Sequence, residues 1–239
     1  MLREFLSYLG FADASVASAR AVVGSGSYHE HERLEIVEMI PRDATTVLDV
    51  GCAAGAFGAA LKRRSPGLRV VGIEYAEGPA SLARERLDEV LQLDLNSLSE
   101  GQIPGSFDVI VCADVIEHLL DPERLLSLLA SHLMPGGVLV LSVPNVRHWS
   151  VLAPLLIDDL FTYADEGLLD RTHVHLFTYT ELVQMLGRSG WKPIDLRLVE
   201  IAMPARFEVM VELAGALGGD PLQSRRLMNA FQFLVAAVR

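Results

Sequence analysis

The sequence predicts an α/β fold with a doubly wound, seven-stranded, mostly parallel sheet, and three observations carry that expectation. Short apolar runs alternate with helical segments across residues 45–143, which is the rhythm of βαβ units. The runs are apolar throughout, with no alternation of polar and apolar residues, so both faces of their sheet are covered. The residues with chemical character follow the strands, and sheets of this kind bind ligands outside the carboxyl ends of their strands.

The first forty residues read as helical, interrupted by Gly24-Ser25-Gly26-Ser27. Leu34, Ile36, Val37 and Ile40 then share a helical face that Pro41 stops. Strands are expected at residues 46–50, 68–73, 90–93, 107–113, 138–143, 192–199 and 232–238. Helices are expected at 56–64, 78–87, 178–188 and 205–217. A further helix starts at Asp121-Pro122, with Asp as N-cap and Pro at the first helical position, and runs to Met134-Pro135-Gly136-Gly137. Residues 144–172 break the rhythm with Trp149, Leu155, Leu156, Phe161 and Tyr163, and read as a partly helical insertion over the ligand crevice. The chain is expected to form one domain: a helical segment 1–44, a cofactor-binding core 45–143, an acceptor-side insertion 144–177 and a C-terminal part of the sheet 178–239.

Bulk properties narrow the function. The 239 residues are 51% apolar, enough to bury a large core. Mean hydropathy is +0.32, yet no apolar run approaches the roughly 18 residues that cross a bilayer. Residues 1–12 lack the pattern of a secretory signal. Cys52 and Cys112 both end apolar strand-like runs, which suits buried thiols in a reducing cytoplasm. The net charge of −11 opposes binding to polyanions, and Lys62-Arg63-Arg64 and Arg225-Arg226 are too short to make a phosphate-gripping stripe. No nucleic-acid partner is expected. The apolar residues Phe5, Leu6, Leu9 and Phe11 could pair two chains into a homodimer.

The strongest local signal is Asp49-Val50-Gly51-Cys52-Ala53-Ala54-Gly55, where a strand turns on glycines into a helix. Glycine lets the backbone approach a ligand closely, and the helix N-terminus offers free N–H groups. These features suit a pyrophosphate or an amino-acid carboxylate. Asp49 discriminates: it would repel a pyrophosphate and favour the ammonium of a methionine moiety. The G-x-G-x-x-G spacing of a dinucleotide site is also missing.

This segment resembles motif I, D-x-G-x-G-x-G, of the class I S-adenosylmethionine-dependent methyltransferases, with Ala53 in place of the middle glycine. The resemblance runs from about Thr45 to Val199 and implies a Rossmann-like fold with S-adenosylmethionine bound. It assigns Glu74 to the ribose hydroxyls, Asp94 to the adenine amino group and Asp114 to the border of the methionine part. Asp49, Gly51, Cys52, Ala53, Gly55, Tyr75, Leu95 and Ala113 complete the implied cofactor set. Four acids, each at or just after a successive strand, agree with it in order.

On the acceptor side, three segments follow strands or precede the next helix: Asp114-Val115-Ile116-Glu117-His118, Pro144-Asn145-Val146-Arg147-His148 and Asp170-Arg171-Thr172-His173-Val174-His175. Four of the seven histidines fall there. Transfer to a hydroxyl needs alignment and removal of a proton, so His118, His173 and His148 are the candidate general bases. Asp114, Glu117, His118 and His173, with His175 as an alternative, are also similar to the E-x-x-E-H motif plus distant His of small-RNA 2′-O-methyltransferases and to metal-assisted ubiquinone O-methyltransferases. In that reading a divalent metal assists the transfer. Residues 167–178 and Tyr28-His29-Glu30-His31-Glu32-Arg33 resemble a branch associated with glycan and natural-product biosynthesis. The expected acceptor is a hydroxyl on a small molecule or glycan-linked group, with Arg147 and Arg171 available to an acidic substituent or paired with nearby acids such as Asp158 or Asp170. Two alternatives stay open: N-methylation of an amino sugar or other amine, and a non-catalytic cofactor-binding partner subunit.

Overall fold

The computed structural model describes residues 32–239. The helical reading of the first residues, the loop at 24–27, the pairing through Phe5, Leu6, Leu9 and Phe11, and the positions Tyr28 to His31 lie outside the described residues.

The described chain opens with one helical turn, α1 (Leu34–Val37). The expected αβ alternation follows: β1 (Thr46–Val50), α2 (Ala56–Arg64), β2 (Arg69–Ile73), α3 (Glu77–Arg84), β3 (Glu89–Leu91) and β4 (Phe107–Ala113). After a 3-10 turn at Ile116–His118 come α4 (Pro122–Ala130), β5 (Leu133–Pro144), α5 (Trp149–Asp158), α6 (Tyr179–Arg188) and β6 (Lys192–Glu200). A second 3-10 turn (Ala205–Phe207) leads to α7 (Val209–Ala216), α8 (Pro221–Asn229) and β7 (Ala230–Val238).

The seven strands form one sheet in the order β3-β2-β1-β4-β5-β7-β6. The pairs β1–β2, β2–β3, β1–β4 and β4–β5 are parallel, whereas β7 runs antiparallel to both β5 and β6. Strand order reverses between β1 and β4, which opens a crevice at their carboxyl ends. Alternate residues feed two cores. Leu48, Val50, Ile110 and Cys112 face one, under Leu125, Leu126 and Leu129 of α4 and Leu182, Met185 and Leu186 of α6. Val47, Val109 and Val111 face the other, under Ile36 and Val37 of α1 and Phe57, Ala60 and Leu61 of α2. A third cluster joins Ala153 of α5 to Met203, Phe207, Met210, Val211 and Met228.

The structure departs from the sequence expectation in four places. The helix over 34–40 is a single turn. The helix from Asp121 stops at Ala130, and residues 134–137, read as its end, lie inside β5, where the register slips between Phe107↔Leu133 and Val109↔Val138. The span 205–217 divides into a 3-10 turn and α7. Helix α8 was not expected, although Asp220 caps it by accepting from the Gln223 N–H at 2.7 Å and Pro221 opens it. The insertion is helical only over α5, which His148 caps through the Ser150 N–H.

Candidate active site

The crevice between β1 and β4 is built from the turn after β1. Gly51 and Cys52 donate their N–H groups to the Ile73 carbonyl at 2.8 and 2.9 Å, so the turn is tied to β2. Gly51 has φ +73°, and a Cβ there would meet Val115 Cγ2 at 2.6 Å. Gly55, at φ +75°, is the N-cap of α2. Ala53 stands where the motif has glycine, and its φ is 47°, a left-handed conformation that L residues with a Cβ rarely adopt. Its N–H donates to Glu74 Oε2 at 3.0 Å, while Glu74 Oε1 accepts from the Ala76 N–H at 2.7 Å.

This loop fits S-adenosylmethionine through the chemistry of its two carboxylates, Asp49 and Glu74. Asp49 is buried, and its Oδ2 has no hydrogen-bond partner. Burial, and then the neighbouring Glu74 charge, raise the Asp49 carboxyl to about 7. A ligand ammonium would answer that unmet acceptor. Each Glu74 oxygen keeps a second lone pair for a ribose hydroxyl. Tyr75 is exposed and offers its carbonyl to Gln92 Nε2 at 3.3 Å. Asp94 lies three residues past β3 and accepts from the Asn96 N–H at 2.9 Å, with Leu95 against the core. Cys52 is buried behind the loop, 2.5 Å from the Cβ position of Gly72, and both cysteines are free thiols.

Ala113 ends β4, and Asp114 follows in a left-handed conformation at φ 55°. Its carboxylate is fully engaged. Oδ2 accepts from Arg33 Nη1, and Oδ1 accepts from Ser142 Oγ at 2.6 Å and Gln232 Nε2 at 3.1 Å. Arg33 Nη2 also donates to Ser142 Oγ at 2.8 Å, and its Nε to Glu35 Oε1 at 2.5 Å. Burial works against the Arg33 charge, but Asp114 and Glu35 outweigh it and raise its pKa. This network went unforeseen because Arg33 meets partners 81, 109 and 199 residues away.

Beyond Asp114, the 3-10 turn brings the acceptor-side residues together. The Glu117 carbonyl accepts from the Val174 and His175 N–H groups at 2.8 and 3.0 Å, which docks the 172–175 loop on the turn. His118 and His173 therefore meet edge to face, with ring centroids 4.8 Å apart. Ligating atoms of Glu117, His118 and His173 all lie within 4.8 Å of one another. Glu117 is fully buried, and neither carboxylate oxygen has a partner. Burial, and then the Asp114 charge, hold it well above the usual carboxylate range. His173 is lowered by burial and then by His118.

The other expected residues fall elsewhere. Asp114 is held in the Arg33 network. His175 tilts against Phe177, with ring centroids 6.1 Å apart, and its Nε2 is buried without a partner. His148 does not line the rim: it is fully buried among Trp149 and Phe231, with Nδ1 2.7 Å from Ser150 Oγ, and burial lowers it to about 4. Arg147 Nη2 donates to Ser224 Oγ at 3.2 Å, and Arg171 pairs at 2.8 Å with Asp165, not with Asp158 or Asp170.

Comparison with known proteins bears on the same residues. The methyltransferase domain family matches residues 26–196. This chain belongs to the class I S-adenosylmethionine-dependent methyltransferases. Among the curated relatives of this methyltransferase is the ubiquinone biosynthesis O-methyltransferase of Idiomarina loihiensis, 32% identical over 159 residues, which are 63% of each chain. The match thus spans under two thirds of that relative's length. An S-adenosylmethionine dependent methyltransferase from Mesorhizobium loti shares the fold at TM-score 0.57 and 20% identity, covering 87% of this chain and 98% of that one. The plantazolicin methyltransferase, solved with S-adenosylhomocysteine, does so at TM-score 0.55 and 17% identity, covering 87% and 80%.

Proposed function

We propose that this methyltransferase methylates a hydroxyl of a small-molecule or glycan-linked acceptor, with His118 or His173 taking the proton. The observation that carries this reading is the pairing of the two imidazoles beside the crevice, next to Asp114. The ubiquinone-type relative, named for O-methylation, supports an oxygen acceptor. Bound S-adenosylmethionine supplies a methyl group whose leaving sulfur is already activated by its positive charge. The chain's own residues hold that ligand through the Gly51 turn, Asp49 and Glu74. They also align the acceptor and accept its proton on an imidazole whose ordinary pKa lies near neutrality. His148, buried, is left out of this role.

The test is methyl transfer from labelled cofactor to a panel of hydroxylated and amino acceptors. His118→Ala and His173→Ala are expected to lower turnover on hydroxyls by about 100-fold, the usual worth of a general base, while binding of S-adenosylhomocysteine in calorimetry is retained. Equal turnover on amines, or full turnover in both variants, would sink the reading.

The Glu117–His118–His173 cluster favours a second reading, in which a divalent cation polarises the acceptor hydroxyl. Two imidazoles and a carboxylate are a common donor set for such ions. Their ligating atoms lie within 4.8 Å of one another, against the ~3.4 Å that separates ligands around a tetrahedral ion, so a small inward shift would close any excess. A cation would also relieve the cost of the unpartnered Glu117. Calorimetric titration of chelator-treated protein with Zn²⁺, Mn²⁺ and Mg²⁺ should show binding that Glu117→Gln weakens. Undiminished activity of metal-free protein excludes this reading.

A further inference from the structure

His118 Nδ1 faces two oxygens of one residue: the Thr172 carbonyl at 3.2 Å and Thr172 Oγ1 at 3.0 Å. The carbonyl can only accept. The hydroxyl has a single proton, and Thr172 Oγ1 directs it to Asp170 Oδ1 at 2.7 Å. The same Asp170 oxygen accepts the Thr172 N–H at 2.7 Å, which pins the residue from both sides. Toward His118, Thr172 Oγ1 is therefore an acceptor as well, so both groups facing Nδ1 call for an N–H. His173 repeats the pattern in a simpler form, its Nδ1 lying 3.3 Å from the Leu168 carbonyl.

We propose that Asp170 and Thr172 form a positioning relay that fixes the His118 proton on Nδ1 and leaves Nε2 as the working nitrogen for the methyl acceptor. The inference deepens the proposed role of His118 and rests on it. In this role Asp170 and Thr172 act through the imidazole, by way of the contacts of Thr172 with His118 Nδ1. The chemistry needs such a device. An imidazole free to exchange its two tautomers presents a lone pair at Nε2 only part of the time, and a fixed partner on the other nitrogen removes that loss. Thr172 is exposed, so replacing it need not disturb the core. The D-x-T spacing at Asp170-Arg171-Thr172 is what makes the relay possible: a carboxylate two residues upstream can receive both the backbone N–H and the hydroxyl of the threonine.

The relay is tested by the His118 imidazole signals in ¹⁵N-labelled protein, assigned by comparison with His118→Gln. Long-range ¹H–¹⁵N correlation should show the Nδ1–H tautomer in the native protein. In Asp170→Ala, the freed hydroxyl can turn and donate to Nδ1, and a population of the Nε2–H tautomer is expected. Thr172→Val and Asp170→Ala should each lower kcat about 10-fold at unchanged KM, the scale seen for partners of working histidines, and Thr172→Ser should restore it. An Nε2–H signal in the native protein, or tautomer populations and kcat unmoved by both substitutions, overturns the relay. Full turnover in His118→Ala would instead overturn the role of His118, while the tautomer signal still decides how its proton is fixed.

Discussion

Ala53 and Gly51 show how one atom decides at the residue scale. Both have positive φ, yet only Gly51 has Val115 where a Cβ would go. Gly51→Ala is expected to weaken S-adenosylhomocysteine binding at least about tenfold, since the turn must move to admit the methyl group. Ala53→Gly should keep the affinity and raise stability by about 0.5 kcal/mol, because relief of the left-handed backbone slightly exceeds the entropy glycine adds to the unfolded chain. Calorimetry and urea unfolding separate the two. Asp49 adds a pH dependence. Its folded pKa, about 7, exceeds the ordinary value of about 4. Between these values the folded chain holds a proton that the unfolded chain has released, so stability falls as pH rises through this window and levels off above it. Asp49→Asn should therefore match the wild type near pH 4 and melt at a higher temperature at pH 8. Equal melting differences at both values would contradict the assignment. Gly51, Gly55 and Asp49 were legible in the sequence because their chemistry is local. Arg33 was not, since nothing within its own segment marks the two strands and the loop it reaches.

At the scale of elements, side-chain caps marked two of the helices that were legible in the sequence, α4 and α6. Asp121 accepts from the Arg124 N–H at 2.9 Å, and Thr178 Oγ1 accepts from the Glu181 N–H. Asp121→Ala should cost about 1 kcal/mol in urea unfolding, and Asp121→Asn a few tenths. The same Asp-Pro signature opens α8 at Asp220-Pro221, but it follows Gly218-Gly219 and leads into the polar Gln223-Ser224-Arg225-Arg226, with no clear apolar face, which masked it. Residues 134–137 misled for the opposite reason. Met134-Pro135-Gly136-Gly137 is turn chemistry, and the chain absorbs it as an irregularity inside a strand, where Gly137 sits 2.8 Å from the Asp108 carbonyl at its Cβ position. His148 shows a related limit: its place after β5 is readable, but the inward turn of its ring is set by Trp149, Phe231 and the α5 cap.

At the scale of the whole molecule, Arg33 ties the start of the described chain to residues on β5 and β7 and to the loop after β4. The Arg33 and Asp114 side chains are 15% and 11% exposed, so loss of one partner leaves a mostly buried charge. Arg33→Met should cost about 3 kcal/mol in unfolding, and adding Asp114→Asn should return part of it. Additive losses in the double variant would mean that the pair does not couple. The broad architecture was legible because seven apolar runs and the helices between them leave few ways to close a sheet. The position of β7 was not, because its neighbours are chosen by the sheet and not by its own sequence.

That position has a consequence for how the molecule is made. β7 is synthesised after both β5 and β6, yet it lies between them. Until it arrives, both of those strands present open hydrogen-bonding edges, and β6 has no partner in the sheet. A ribosome that stalls before residue 230 would hold a nascent chain with an open β5 edge and an unpaired β6, a form prone to join its neighbours on a polysome.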